Sequence, residues 1–344
     1  SGVFVSCIAT IIMKDDLPKY MSFLNAAALL FYMTMDNVDG KQARRTGSSS
    51  PLGELFDHGC DAVVVGLGII TQLITMGTLN DWLFAPVTVA LGFASFFVPT
   101  WEKYHTGTLY LGTINGPTEG VLSLCAMYIL NGLYGDDLWD YAVYRSFTAR
   151  HGCLLFFSLA FLLFSVPSSF RNVWRHVKDT PCEIPNKSEQ QAREIVIEGL
   201  VSLLGYFSTT ILVFNHTVQY EDDEAIILAA ALGTVVFARG MCSIIYGHLV
   251  EDKEISVSRY SIWFALLFTL YIQSKDSLLW FKFVFGTLFV LFSFELAIWW
   301  MNVIVSFTKY LNIECFRIKH VALGKEDSHP TYADIVKTVE LKKD

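Results

Sequence analysis

Long apolar runs alternate with short polar segments along this chain. Runs near 1–13, 18–35, 59–77, 82–101, 117–134, 151–169, 196–215, 225–248, 260–273 and 279–307 predict about ten membrane spans, since a span needs about 20 mostly apolar residues. The first run falls short of that length, and 260–273 is brief. The pattern predicts an all-α bundle of transmembrane helices over 1–308, followed by a polar tail over 309–344. Residues 171–195, which include PCEIPNKSEQ, read as the longest internal loop. No fixed-period repeat is visible. Composition agrees: 53% of residues are hydrophobic and 17% charged, with a mean hydropathy of +0.43. A soluble domain carries about a quarter charged residues, so a soluble fold is excluded.

Charge placement sets an orientation. With the segment after the second run on the cytosolic side and strict alternation, cytosolic segments hold 18 Lys and Arg residues. The luminal segments hold five: Lys14, Lys19, Arg145, Arg150 and Lys275. This bias follows the positive-inside rule and puts residues 36–58 in the cytosol. The net charge of −8 adds little, because side matters more than sum. The seven cysteines form no CxxC or Cys/His grouping, and Cys125, Cys153 and Cys242 lie in apolar runs, as small core residues do. The chain begins at Ser1 within an apolar run, so the first span is expected to be cut inside or beside its start.

The chemistry concentrates between Asp36 and Asp61, in DNVDGKQARRTGSSSPLGELFDHGCD. Carboxylates beside a bilayer are expensive and mark function. Asp36 and Asp39 are three apart; Asp57 and Asp61 are four apart. Each pair shares a helix face, and RTGSSSPLG between them supplies a turn. An antiparallel helix pair therefore gathers four carboxylates, which cannot all stay ionised at close range without a counter-charge. A divalent cation is the simplest solution, and hard oxygen ligands suit Mg²⁺, with Mn²⁺ as substitute. Gly40 and Ala43 leave the helix backbone open to a ligand. Arg44 offers a fork for phosphate, and Gly53 is expected to clear the facing helix. Together these residues describe a site for a diphosphate ester.

The frame D-x2-D-G-x2-A-R-x8-G-x3-D-x3-D, filled by Asp36, Asp39, Gly40, Ala43, Arg44, Gly53, Asp57 and Asp61, resembles the CDP-alcohol phosphatidyltransferase family. GKQARRTGSSSPLGELFDHGCD, WEKYHTGTLYL (101–111) and GPTEG (116–120) resemble its choline/ethanolamine phosphotransferase branch, most of all fungal members. Ser1-Gly2 is similar to the end of a stretch that precedes the family's first span, which implies a missing N-terminal amphipathic segment. The resemblance implies metal-dependent transfer of a phospho-headgroup from CDP-choline or CDP-ethanolamine to diacylglycerol, with release of CMP. It further implies that Asp36, Asp39, Asp57 and Asp61 hold one or two metals and that Asp39, Gly40, Ala43 and Arg44 line the CMP and phosphate region. A homodimer in the endoplasmic reticulum or Golgi membrane, without any nucleic-acid partner, is implied as well.

The attacking hydroxyl needs a base. His58 is one candidate, with Glu54 four residues earlier on the same helix face to fix its tautomer. Asp61 is the other, although metal binding depresses its basicity. A third reading leaves His58 hydrogen-bonding a helix end or a phosphate. Trp101, Glu102, Tyr104 and His105, at the end of the fourth run, can hold an ammonium headgroup by cation–π contact and charge, or form an interfacial aromatic belt. Glu119 in GPTEG can reach the same headgroup or a helix-end partner. Glu198, Arg239 and Glu295 lie in or near spans, where charges face cavities or one another.

Two rivals differ in chemistry. An enzyme of the same family using CDP-diacylglycerol is usually shorter and lacks the FDHGCD context. A cation-coupled transporter carries its charges near the bilayer midplane, in paired repeats with broken helices; here they sit at span ends.

Overall fold

The computed structural model describes residues 2–108, 116–145, 147–179, 187–250 and 277–311, together with 313 and 315. The described chain is an all-α bundle. In order, α1 is Gly2–Ile12, α2 Lys19–Thr46, α3 Pro51–Thr75 and α4 Phe84–Thr106. A π-turn over Gly116–Gly120 leads into α5, Val121–Tyr134. A short antiparallel ribbon pairs β1 (Ala142–Tyr144) with β2 (Phe147–Thr148). The long helix α6 then runs over Ala149–Asp179, with a π-turn at Phe161–Ser165. It is followed by α7 (Lys187–Val218), α8 (Asp223–Leu249) and α9 (Leu278–Leu311).

Six of these helices, α3, α4, α6, α7, α8 and α9, are long and apolar enough to cross a membrane. With no water to satisfy an exposed backbone in lipid, helices are the natural choice. The protein is an integral membrane protein. The expected count of ten spans is not reached among the described residues. α1 has 11 residues and α5 has 14, α2 ends in a charged segment, and 260–273 lies outside the described residues. Nearly all of the tail 309–344 also lies outside them. The expected loop over 171–195 is corrected: α6 runs on to Asp179 and α7 starts at Lys187. Polar residues continue a helix when one stripe stays apolar; Phe170 and Val173 are buried on that stripe.

α3 is the axis of the bundle and packs against α8, α1 and α4. Its sequence GCDAVVVGLG puts small residues where helices must approach. A Cβ on Gly66 would lie 2.2 Å from Thr234 of α8, and one on Gly59 would lie 2.6 Å from Trp300 of α9. Phe56 stacks on Trp300 with centroids 4.8 Å apart. Toward the other end of α2 and α3, buried Asn25 donates to Thr10 (3.0 Å) and Thr75 (3.1 Å). Asn131 of α5 donates to Ser22 (3.2 Å) and the Thr75 carbonyl (2.9 Å). These bonds satisfy polar groups that would otherwise be orphaned in an apolar interior and hold α1, α2, α3 and α5 in one register.

The turns remote from the acidic motif are tied together by charge. Lys14 lies 3.6 Å from Asp223, and Asn80 donates to Asp223 at 2.7 Å. His151 lies 3.2 Å from Asp81, and buried Arg150 pairs with Asp140 and donates to the Met76 carbonyl. Asp222 caps α8 by accepting from Ala225 N–H (2.8 Å) and pairs with Lys282 at 2.9 Å. Burial alone would raise the Asp222 carboxyl, but the Lys282 ammonium and the Ala225 N–H outweigh it and hold it below its ordinary value. Its contribution to stability is therefore complete above the unfolded carboxyl value and disappears as pH falls through the lower folded one. Asp222→Asn, which keeps a good cap residue, is expected to lose up to about 1 kcal/mol at pH 7, the scale of an exposed pair. The difference from the intact protein closes as pH drops below about 4; thermal melting of both proteins against pH checks this.

Candidate active site

Local sequence explains how the acidic motif is presented. α2 runs past its apolar part and carries Asp36 and Asp39 on its last turns. It stops at Gly47, whose φ of 65° is the left-handed conformation that glycine adopts without strain. The Ser48 N–H bonds back to the Ala43 carbonyl at 2.9 Å. Ser50 then caps α3 by accepting from the Gly53 N–H at 3.0 Å, and Pro51 fills the first helical position. A short reversal thus sets the end of α2 beside the start of α3.

Oxygen atoms of Asp36, Asp39 and Asp57 lie within 4.8 Å of one another, a spacing that fits a hard cation. Burial first, then the negative charges of Asp61, Asp57 and Asp39, push the Asp36 carboxyl up to about 8. That repulsion is what a cation at this position would relieve. Asp61, one helical turn beyond Asp57, accepts from the Tyr32 hydroxyl at 2.5 Å. Arg44 lies beside Gly40, where a Cβ would meet its guanidinium at 3.6 Å, so the bare backbone there leaves space next to the cation fork. The expectation for Gly53 is corrected. A Cβ there would meet the Ser50 hydroxyl at 3.3 Å, so among the described residues its surroundings are its own helix cap and not a facing helix.

His58 lies beside the cluster, with Nδ1 3.6 Å from Asp57 and 3.8 Å from Asp61. Its Nε2 lies 2.8 Å from Nζ of Lys103 on α4. Lys103 also pairs with Glu54. Glu54 therefore reaches His58 through Lys103 and not by the direct contact its spacing suggested. Sequence reasoning missed Lys103, which carried only a topological signal, because the contact crosses between helices. It also missed Tyr32, although the i, i+4 spacing to Asp36 marks a shared face.

The other residues of the α4 end face elsewhere. Trp101 is fully buried, with its ring 4.5 Å from Phe170 and 5.3 Å from His105. A Cβ on Gly199 of α7 would meet Trp101 at 2.5 Å. Glu102 is buried and accepts from Asn172 of α6 at 2.8 Å. Tyr104 and His105 form an edge contact with centroids 4.8 Å apart. Trp101, Glu102 and His105 fill the seam between α4, α6 and α7, while Lys103, on the opposite face, turns to α3. Arg239 and Glu295 meet at 3.0 Å, with the guanidinium stacked 4.6 Å over Trp299.

An apolar cavity of about 330 Å³ opens from this site. Asp36, Asp61, Tyr32 and Glu119 are among its polar lining, and Leu29, Val64, Phe96, Leu124 and Phe157 among its apolar walls. It runs between α2, α3, α4, α5 and α6 into the bundle.

The sequence model of the family described as CDP-alcohol phosphatidyltransferase matches residues 1–146, which contain the whole acidic motif. An uncharacterized CDP-alcohol phosphatidyltransferase class-I family protein of Schizosaccharomyces pombe is 31% identical over 279 residues, 76% of this chain and 66% of that protein. The chain belongs to the CDP-alcohol phosphatidyltransferase family. Two relatives from Saccharomyces cerevisiae carry more specific names. Cholinephosphotransferase 1 is 33% identical over 204 residues, 56% of this chain and 51% of that protein. Choline/ethanolaminephosphotransferase 1 is 31% identical over 217 residues, 57% of this chain and 52% of that protein. The chain thus spans between half and two thirds of the length of these relatives.

Proposed function

We propose that the chain transfers phosphocholine or phosphoethanolamine from its CDP ester to the hydroxyl of diacylglycerol, at the cytosolic face of an endoplasmic reticulum or Golgi membrane. The observation that carries this reading is the apolar cavity that starts at Asp36 and Asp61. A carboxylate cluster suited to a diphosphate thus meets a chamber suited to a lipid acceptor. The names of the two yeast relatives support the same donor class.

Asp36, Asp39 and Asp57 would hold Mg²⁺ or Mn²⁺, which when bound neutralises the diphosphate and the charge on leaving CMP. Arg44, beside the open backbone of Gly40, would receive a phosphate oxygen. The reaction forms a bond from the acceptor oxygen to the headgroup phosphorus and breaks the bond from that phosphorus to CMP. The hydroxyl proton passes to His58. Asp61 is the weaker base, because its carboxylate already accepts from Tyr32 and stands next to the cation cluster.

The test supplies labelled CDP-choline and CDP-ethanolamine separately, with diacylglycerol and Mg²⁺, to the protein in vesicles. Labelled phospholipid from either donor is expected. Gly68 lines the cavity, and a Cβ there meets nothing within 4 Å among the described residues. Gly68→Leu fills the chamber and is expected to raise KM for diacylglycerol about tenfold, the scale of one misplaced apolar group, while KM for the CDP donor holds. Consumption of CDP-diacylglycerol in place of both donors would overturn the reading.

A further inference from the structure

Among the described residues, Lys103 is the one outside the acidic motif whose side chain bonds to His58. An ammonium has only donors. The 2.8 Å contact therefore requires His58 Nε2 to accept, which leaves the ring hydrogen on Nδ1, toward Asp57 and Asp61. Glu54 holds the other side of the same ammonium. Lys103 and His58 are both more than four-fifths shielded from solvent, with side-chain exposures of 17% and 19%, so the contact is not a loose surface pair. It joins α3 to α4 beside the acidic cluster. Glu54, Lys103 and His58 form a line that leads to the carboxylates.

We propose that Lys103, clamped by Glu54, is the positioning residue for His58: it fixes the orientation of the imidazole and stores its lone pair on Nε2. Within the transferase reading, the acceptor hydroxyl takes the place of the ammonium on Nε2 and meets a base already in the required tautomer. Lys103 itself touches neither donor nor acceptor. The ammonium then stays anchored by Glu54, which keeps it from wandering to the carboxylates and occupying the cation position. A helix position that Trp101 and Glu102 lock into the α4–α6–α7 seam gives Lys103 a rigid base. Second-layer groups of this kind act by orienting the group that reacts.

Two readouts test the proposal on the full-length chain in vesicles. The first needs no activity: the rate at which diethyl pyrocarbonate modifies His58, followed by mass spectrometry of its peptide. Freeing Nε2 is expected to raise that rate about fivefold in Lys103→Met, the worth of one hydrogen bond, and similarly in Glu54→Gln. Lys103→Arg, which keeps a donor, is expected to stay near the intact rate. The second readout rests on the proposed function. Lys103→Met is expected to lower kcat about 10- to 100-fold, with KM for donor and acceptor within about twofold. The double variant with Glu54→Gln is expected to be no slower than the slower single one, as for residues acting as a unit. Unchanged labelling of His58 in folded Lys103→Met overturns the proposal. A raised KM for the CDP donor with kcat intact also overturns it and makes Lys103 a substrate contact. If the intact protein makes no product, the transferase reading fails, and the labelling arm still decides the role of Lys103.

Discussion

Asp57→Asn is expected to abolish the proposed headgroup transfer, lowering turnover by at least about a thousandfold, the scale of losing a cation that stabilises the charge developing on phosphate. Asp57 contributes one of three carboxylates whose oxygens lie within 4.8 Å of one another. The substitution keeps its shape and removes its charge. Stability moves the other way. Burial and the neighbouring aspartates push Asp36 up to about 8, so the cluster opposes folding when no cation is present. Removing one negative charge relieves that opposition. In chelator, Asp57→Asn is expected to melt at or above the temperature of the intact protein. Excess Mn²⁺ raises the intact protein's melting temperature and leaves the variant's unchanged, because only a competent site gains from ligand binding. Transfer assays and melting curves with and without Mn²⁺ check both halves. An active variant, or equal stabilisation of both proteins by Mn²⁺, would remove Asp57 from the site.

Gly66→Ala is the second substitution with a large expected effect, and it acts through helix packing. The new Cβ would lie 2.2 Å from both terminal atoms of Thr234 and 2.6 Å from its Cβ. Rotation of Thr234 does not relieve the last contact, so α3 and α8 must separate. Overpacking of this kind costs about 1–3 kcal/mol. It also displaces the helix that carries Asp57, His58 and Asp61. Gly68→Ala, two residues on, meets nothing within 4 Å among the described residues and is expected to be neutral or stabilising by up to about 1 kcal/mol, through helix propensity. Parallel melting curves of the two variants separate close packing from a general intolerance of side chains. Equal behaviour of the pair would show that the α3–α8 contact does not limit stability.

Much of the architecture was legible in residue order. Apolar runs of span length predict helices because the bilayer leaves the backbone no other partner, and the described helices fall on those runs. Boundaries were less legible. The polar stretch 171–195 looked like a loop, yet Phe170 and Val173 anchor an apolar stripe that lets α6 continue to Asp179. Charge density alone does not distinguish a loop from the exposed side of a helix. The aspartate frame was legible because i, i+3 and i, i+4 spacings are properties of a single helix, and the turn between the pairs announces itself through Gly47, Ser50 and Pro51.

Contacts between helices followed a different logic. Glu54 and His58 share a face by spacing, but Lys103 stands between them. Trp101 and Glu102 adjoin Lys103 in sequence, yet successive helical residues point about 100° apart, and these two turn into the α4–α6–α7 seam. Arg239 needed a partner, and only the packing of α8 on α9 selects Glu295. Helix identity, the acidic frame and the class of chemistry depend on periodicity within one segment, which the order of residues contains. The partner of each charge, the tautomer of His58 and the cavity beneath Asp61 depend on how each helix is rotated against its neighbours. That rotation is set by many small packing contacts, such as Gly66 against Thr234, which no local pattern encodes.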